Sequence, residues 1–189
     1  LRDMGQVAII DGDTKEKLTI IETGFAVHIL RTSASGRYFY SIGRDGKITM
    51  IDLWMETPTM VAEGKASFDA RSVEVSKYNG PEGDFSDKYL IVGGYTPSHF
   101  VIFDAQTLEP ISVTSTEGYA LDGDEYVEEA RVASLVASHK DPLWVVNVKE
   151  SGMVWLVDYT DPVNPEITKI ATARFLHDGG WDLTGQYFL

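Results

Sequence analysis

Apolar and polar positions alternate along this chain in short runs, and the runs come in pairs. A run of Val, Ile, Leu and aromatic residues leads through a tight turn into a second run that closes on an aspartate. The closing runs are VAIID to Asp11, ITMID to Asp52, FVIFD to Asp104 and VWLVD to Asp158, and the steps between these aspartates are 41, 52 and 54 residues. Three of them follow a partner run across a turn: RYFYSIG before RDG, KYLIVGG before YTPS, and LWVVNV before KESG. Alternation with a period of two is the mark of a strand. Strand pairs repeating at about 40 to 50 residues predict propeller blades.

A four-stranded blade cannot hide both of its faces alone, so neighbours must stack. The predicted fold is all-β, a β-propeller, with residues 1–189 forming one partial domain of about three and a half blades. A fifth repeat opens as RFLHDGGWDLTGQYFL and breaks off inside its apolar run, and Leu1 stands where an initiator Met would. The chain therefore reads as a segment of a longer polypeptide. EEARVASLVASH (128–139) carries Val132, Leu135 and Val136 at helical spacing, but its place in the repeat assigns it to a strand. The polar stretch YNGPEGDFSDK (78–88) is expected to be a long loop within one blade. GRDG (43–46) is expected to be a hairpin turn, with glycine supplying the positive φ.

Composition narrows the partners. Sixteen Lys and Arg against 29 Asp and Glu give a net charge of −13, which disfavours nucleic acid and anionic membrane as partners. There is no run of about 18 apolar residues. With no cysteine, these residues hold no disulfide, thiolate metal site or covalent haem attachment.

The chain has four histidines, His28, His99, His139 and His177, and no HxH or HExxH spacing pairs them. A lone histidine beside a strand is more often packed than ligating. DGDTKE (11–16) and DGDEYVEE (122–129) read as solvated turns, because Lys15 and Glu16 break the calcium-loop pattern. Nucleotide and nucleophile motifs are absent. Arg2, Arg31, Arg44 and Arg71 lie near strand ends in successive repeats, where they are either four surface arginines or a set converging on the propeller mouth. Guanidinium groups aimed inward repel one another unless an anion with several carboxylates lies among them. With His28 nearby, the set reads as a porphyrin-like cofactor site, imidazole for iron and arginine for carboxylate.

GFAVHILRTSASGRYFYSIGRDGKITMIDLW (24–54) resembles the d1-haem domain of the cytochrome cd1 nitrite reductases. ARSVEVSK (70–77), TLEP (107–110), WVVNVKESG (144–152), VDYTD (157–161) and FLHDGGWD (175–182) share the resemblance. It implies the first half of an eight-bladed propeller that holds haem d1, with haem c in a domain outside this segment. On this resemblance His28 falls on the axial iron ligand, and Arg2, Arg31, Arg44 and Arg71 on arginines beside the cofactor carboxylates. Tyr95 falls on a tyrosine lining that pocket. His177 falls on a distal histidine that serves nitrite, and a second distal histidine is expected beyond Leu189. The implied reaction is one-electron reduction of nitrite to nitric oxide in the periplasm. The implied electron donor is a small c-type cytochrome or cupredoxin, and the implied assembly is a homodimer. The alternative is a haem d1 biosynthesis or binding protein on the same propeller. The chain departs from the family pattern in STEGYALDGDEYVEEARVAS (115–134), with Glu117 where arginine is common and Val127 where histidine is common. It also has GGYTPSHF in place of a Trp-Pro-Pro loop.

Overall fold

Strands account for nearly all of the regular structure in the computed structural model, which describes residues 1–121 and 123–189. Asp122, the first residue of DGDEYVEE, lies outside the described residues. After a 3-10 turn at Arg2–Met4, β1 (Gln6–Ile10) pairs antiparallel with β2 (Lys17–Glu22). Three four-stranded antiparallel sheets follow. The first runs in chain order through β3 (Ile29–Thr32), β4 (Tyr38–Ile42), β5 (Lys47–Asp52) and β6 (Thr59–Lys65). The second begins with β7 (Asp69–Val75), detours through a hairpin of β8 (Asn79–Gly80) and β9 (Gly83–Asp84), and continues as β10 (Tyr89–Thr96), β11 (His99–Asp104) and β12 (Pro110–Ser115). After a hairpin of β13 (Gly118–Tyr119) and β14 (Tyr126–Val127), the third comprises β15 (Val132–Ala137), β16 (Leu143–Val148), β17 (Met153–Asp158) and β18 (Glu166–Ala171). This is the expected β-propeller arrangement. β1 and β2 stand where the outer two strands of a preceding blade would, since β1 carries the run that closes on Asp11. EEARVASLVASH contributes β15, a strand, and the 78–88 stretch is an insertion within one blade that itself forms a small hairpin. RFLHDGGWDLTGQYFL, by contrast, forms no strand pair beyond a single bridge between Trp181 and Phe188.

The repeated aspartate has a local cause. Each one ends the third strand of a blade or, for Asp11, directly follows it, and its Oδ1 accepts backbone N–H groups from the turn beyond. Asp11 takes those of Asp13 and Thr14 (2.9 and 2.7 Å), Asp52 that of Trp54 (2.9 Å), Asp104 those of Gln106 and Thr107 (both 2.9 Å), and Asp158 that of Thr160 (2.8 Å). An aspartate at this point bends the chain into the outer strand with its turn donors satisfied.

Both faces of the middle blade are buried. On β10, Leu90 and Val92 pack with Tyr40, Ile42 and Met50 of the first blade, while Ile91 between them packs with Val132, Leu135 and Trp144 of the third. Hiding each such side chain stabilises by about 1.5–3 kcal/mol. Polar cross-links bridge the blades: Tyr40 OH donates to the Ala105 carbonyl (2.9 Å), and Ser72 Oγ to the Val132 carbonyl (3.4 Å). Stacking sets the innermost strands side by side, β3 against β7 and β7 against β15.

Register then fixes one functional face. Ile29 lies opposite Ile42, Asp69 opposite Thr96, and Val132 opposite Val148. The first residue of each inner strand is therefore beside the turn joining the second and third strands of its blade. These are the turns at 43–46, 97–98 and 149–152, so all three open onto the same side. Gly46 in the first has φ 75°, and its N–H returns to the Gly43 carbonyl (2.9 Å), as the hairpin pattern required.

Gly93 on β10 lies where the second and third blades touch: a Cβ there would collide with the Val132 side chain and lie 2.5 Å from Ser72 Oγ. Gly93→Ala should lower unfolding free energy by about 1–3 kcal/mol in urea. A change within about 0.5 kcal/mol would contradict the tight blade contact.

Candidate functional site

Where the inner strands begin, the three blades and the 177–178 segment enclose a cavity of about 250 Å³. Its walls include His28, Ile29 and Arg31 at β3, Arg71 and Ser72 of β7, Ala133 to Leu135 of β15, and His177 with Asp178. A wider hollow of about 500 Å³ opens beside β3, formed by Arg2, Phe25, Ala26, Arg44, Phe68 and Asp69, among others.

His28 sits one residue before β3, anchored by its N–H to the Ile42 carbonyl (3.1 Å). Its ring opens on the cavity. Its pKa is lowered from the ordinary 6.5, first because the surrounding protein removes part of its hydration and then because Arg71, Arg2, His177 and Arg44 add positive charge. A neutral imidazole is the form that binds a metal ion. His177, also exposed, has Nδ1 2.9 Å from Asp178 Oδ1, while its main-chain carbonyl accepts from Asn147 Nδ2 (3.2 Å). With Nδ1–H given to the carboxylate, Nε2 is left to meet a ligand.

The four predicted arginines share this end of the molecule but differ in their engagements. Arg44 grips Asp69 through two bonds of 3.1 and 2.6 Å, and Arg31 is 3.3 Å from Glu74, a buried carboxylate that Lys77 also approaches at 3.1 Å. Arg2 and Arg71 have no carboxylate partner among the described residues. Arg71 Nε is buried without a hydrogen-bond partner, and so is the hydroxyl of Ser134, across the same cavity. Tyr95 is buried at the end of β10, not among the walls of the His28 cavity but with the Arg71 guanidinium carbon 5.6 Å from its ring centroid. The reason is positional: Tyr95 belongs to the second strand of its blade, one strand farther from the axis than Arg71.

Other histidines are accounted for by local structure. His99 is buried with its ring nitrogens 2.7 Å from the Pro97 carbonyl and 3.0 Å from that of Ala66. His139 lines a separate hollow with Trp181. Among the described residues no group of three or more His, Cys, Asp or Glu could hold a metal ion. Sequence reasoning does not single out Ser134, Glu74 or Asn147, since nothing marks a buried serine, glutamate or asparagine inside an apolar run as lining a cavity or holding a residue that does.

The donor set fits an iron tetrapyrrole bearing carboxylates. A neutral imidazole could ligate the metal, two uncompensated arginines could meet carboxylates, and two buried polar atoms lack partners that a ligand could supply.

The chain is similar over its whole length to known proteins. A family model described as "Cytochrome D1 heme domain" matches residues 1–189. The chain is 56% identical over 189 residues to a protein named nitrite reductase from Stutzerimonas stutzeri, covering 100% of this chain and 33% of that one. It is 27% identical over 186 residues to a dihydro-heme d1 dehydrogenase from Pseudomonas aeruginosa, covering 97% and 34%. A solved structure described as dihydro-heme d1 dehydrogenase NirN in complex with DHE superposes with a TM-score of 0.78 at 27% identity, covering 99% of this chain and 37% of that one. The chain spans about a third of the length of these relatives.

In a proton NMR titration, the His28 ring should show a midpoint below 6.5, and Arg71→Gln should move it upward. A midpoint at or above 6.5, or no response to the substitution, would contradict the cationic setting.

Proposed function

The chain belongs to the cytochrome D1 heme domain family, and from that premise we propose that it is part of a haem d1-dependent nitrite reductase forming nitric oxide. The observation that carries the proposal is the meeting of a neutral His28 imidazole with carboxylate-free Arg71 on one axial cavity. In this reading His28 would ligate the haem iron. Arg2 and Arg71 face the carboxylates directly, while Arg31 and Arg44 add positive charge already shared with Glu74 and Asp69. Bound haem d1 would supply an iron that delivers one electron to nitrite. Loss of water from nitrite consumes protons, and in this reading His177, when protonated on both ring nitrogens, would donate one, its Nδ1 kept near Asp178 and its main chain held by Asn147. A second distal histidine belongs outside residues 1–189.

The same reading makes residues 1–189 a portion of a d1-haem propeller of eight blades and includes a separate haem c domain. It further includes electron delivery by a small c-type cytochrome or cupredoxin, a periplasmic location and a homodimer. The 56% identity to a nitrite reductase supports it over the biosynthetic alternative, which the 27% identity to a dihydro-heme d1 dehydrogenase keeps in view. Oxidation of dihydro-haem d1 without nitrite turnover would decide for that alternative.

In the full-length protein, His28→Ala should alter the haem d1 absorption spectrum and abolish nitrite turnover. His177→Ala should leave haem bound and slow turnover by about 10²–10⁴-fold. A His28→Ala protein with unchanged spectrum and rate would overturn the proposal.

A further inference from the structure

Both ring nitrogens of His99 face backbone oxygen: Nδ1 is 2.7 Å from the Pro97 carbonyl and Nε2 is 3.0 Å from that of Ala66. The residue opens β11 and is only 7% exposed, so water does not stand in for either partner. A neutral imidazole has one N–H and one lone pair, and only the imidazolium has two donors. In the neutral ring one of these carbonyls meets a lone pair at hydrogen-bond distance, whereas in the protonated ring both contacts are bonds. The ring has no room to turn away. A Cβ on Gly94, opposite His99 across the β10–β11 pair, would lie 2.6 Å from His99 Cε1 and 2.8 Å from Nδ1, so the imidazole rests against bare backbone.

The two carbonyls belong to different blades. Ala66 directly follows β6, the last strand of the first blade, and Pro97 is in the turn of the second blade that opens onto the functional face. The segment between β6 and β7 is strung between the two. The Ala66 N–H donates to the Gly46 carbonyl (2.9 Å), while the Phe68 N–H and the Ser67 hydroxyl both donate to the Thr96 carbonyl (3.2 and 2.9 Å). This segment leads directly into Asp69, which holds Arg44, and then into Arg71, a wall of the His28 cavity. His99 closes the run with a bond that exists only when a second proton is present.

The charges around the ring do not fix its state. Lys65 lines the same hollow of about 360 Å³ as His99 and, together with burial, works against a second proton. On β7 the Asp69 carboxylate is engaged by Arg44, and on β10 the buried Tyr95 phenol is pushed up by desolvation and stays uncharged. β12 sets uncharged Ser115 opposite His99, and Glu117 beyond it lies 3.4 Å from the Tyr126 hydroxyl. Among the described residues no carboxylate pairs with the ring, so the two carbonyl dipoles alone favour the imidazolium. Modest changes of pH displace a balance of this kind.

We propose that His99 is a pH-sensitive tie between the first two blades. Protonated on both ring nitrogens, it joins Ala66 to Pro97 and firms the approach to Arg71. On losing one proton it lets go of one carbonyl and loosens that wall of the cavity. The bond formed by the second proton stabilises the segment at low pH, and this contribution is lost as pH rises through the titration of the ring. The tie is independent of what the cavity binds, and His99 is a positioning residue.

The full-length protein labelled with nitrogen-15 histidine provides the test. The His99 ring resonances, assigned by their loss in His99→Gln, should show two N–H groups at about pH 6 and one at about pH 9. Over the same range, hydrogen-exchange protection of the Phe68 and Ala70 amides should fall about tenfold, as expected for loss of one charged hydrogen bond, with the midpoint of the ring. His99→Gln, whose side chain gains no donor with pH, should keep that protection within about twofold throughout. Should His99→Gln fail to fold, His99→Asn serves for assignment, and coincidence of the two midpoints in the wild type decides. A single N–H on His99 at every pH, protection that ignores the ring titration, or the same fall in the folded variant would overturn the tie while leaving the haem reading standing.

Discussion

Every blade of this molecule has two apolar faces, and the need to cover both is what brings its chemistry together. On β10 the side chains alternate between two different cores, Leu90 and Val92 toward one neighbour and Ile91 toward the other. A sheet built that way has no stable solvent-facing side, so blades stack with their first strands adjacent. Antiparallel register then places the start of each first strand beside the same turn of its own sheet. His28, Arg71 and Ser134 meet on one cavity for this reason, although 43 and 63 positions separate them in sequence. Tight contacts such as that of Gly93 with Val132 make the spacing of the cavity walls a property of core packing.

Electrostatics works against the charge of the whole chain. The protein is strongly acidic, yet the face carrying His28 concentrates arginine and lysine from three blades. Carboxylates there are used sparingly, Asp69 for Arg44, Glu74 for Arg31 and Lys77, and Glu150 for Arg131 and Lys149. They fix the geometry of the outer cations and leave Arg71 and Arg2 with undivided charge. Partial burial first, and the same field after it, favour the neutral His28 imidazole, so attraction for an anion and competence as a metal ligand occur together.

Much of this was legible in the sequence, and unevenly so. The repeating aspartate and the paired apolar runs announced the strands, because turn chemistry and side-chain alternation are local. The strand at 132–137 was recovered by repeat position against its helical spacing. His28 and the arginines could be singled out through the resemblance of residues 24–54 to a known family. Partnership was another matter. That Arg44 is bound to Asp69 while Arg71 is not, or that the Arg71 guanidinium meets the Tyr95 ring, depends on which strand of which blade each occupies. Ser134 and Asn147 were invisible because a small polar residue in an apolar run looks the same whether it meets backbone or a cavity. The repeat that opens as RFLHDGGWDLTGQYFL and breaks off yields one bridge, between Trp181 and Phe188, and no strand.

The central claim is that one imidazole and the cations of separate blades address a single bound macrocycle. A crystal structure of the full-length protein with haem d1 measures this directly. The account predicts a His28 ring nitrogen within bonding distance of the iron and macrocycle carboxylates hydrogen-bonded to Arg71. Haem held by other residues, with His28 or Arg71 turned away from it, would contradict the account.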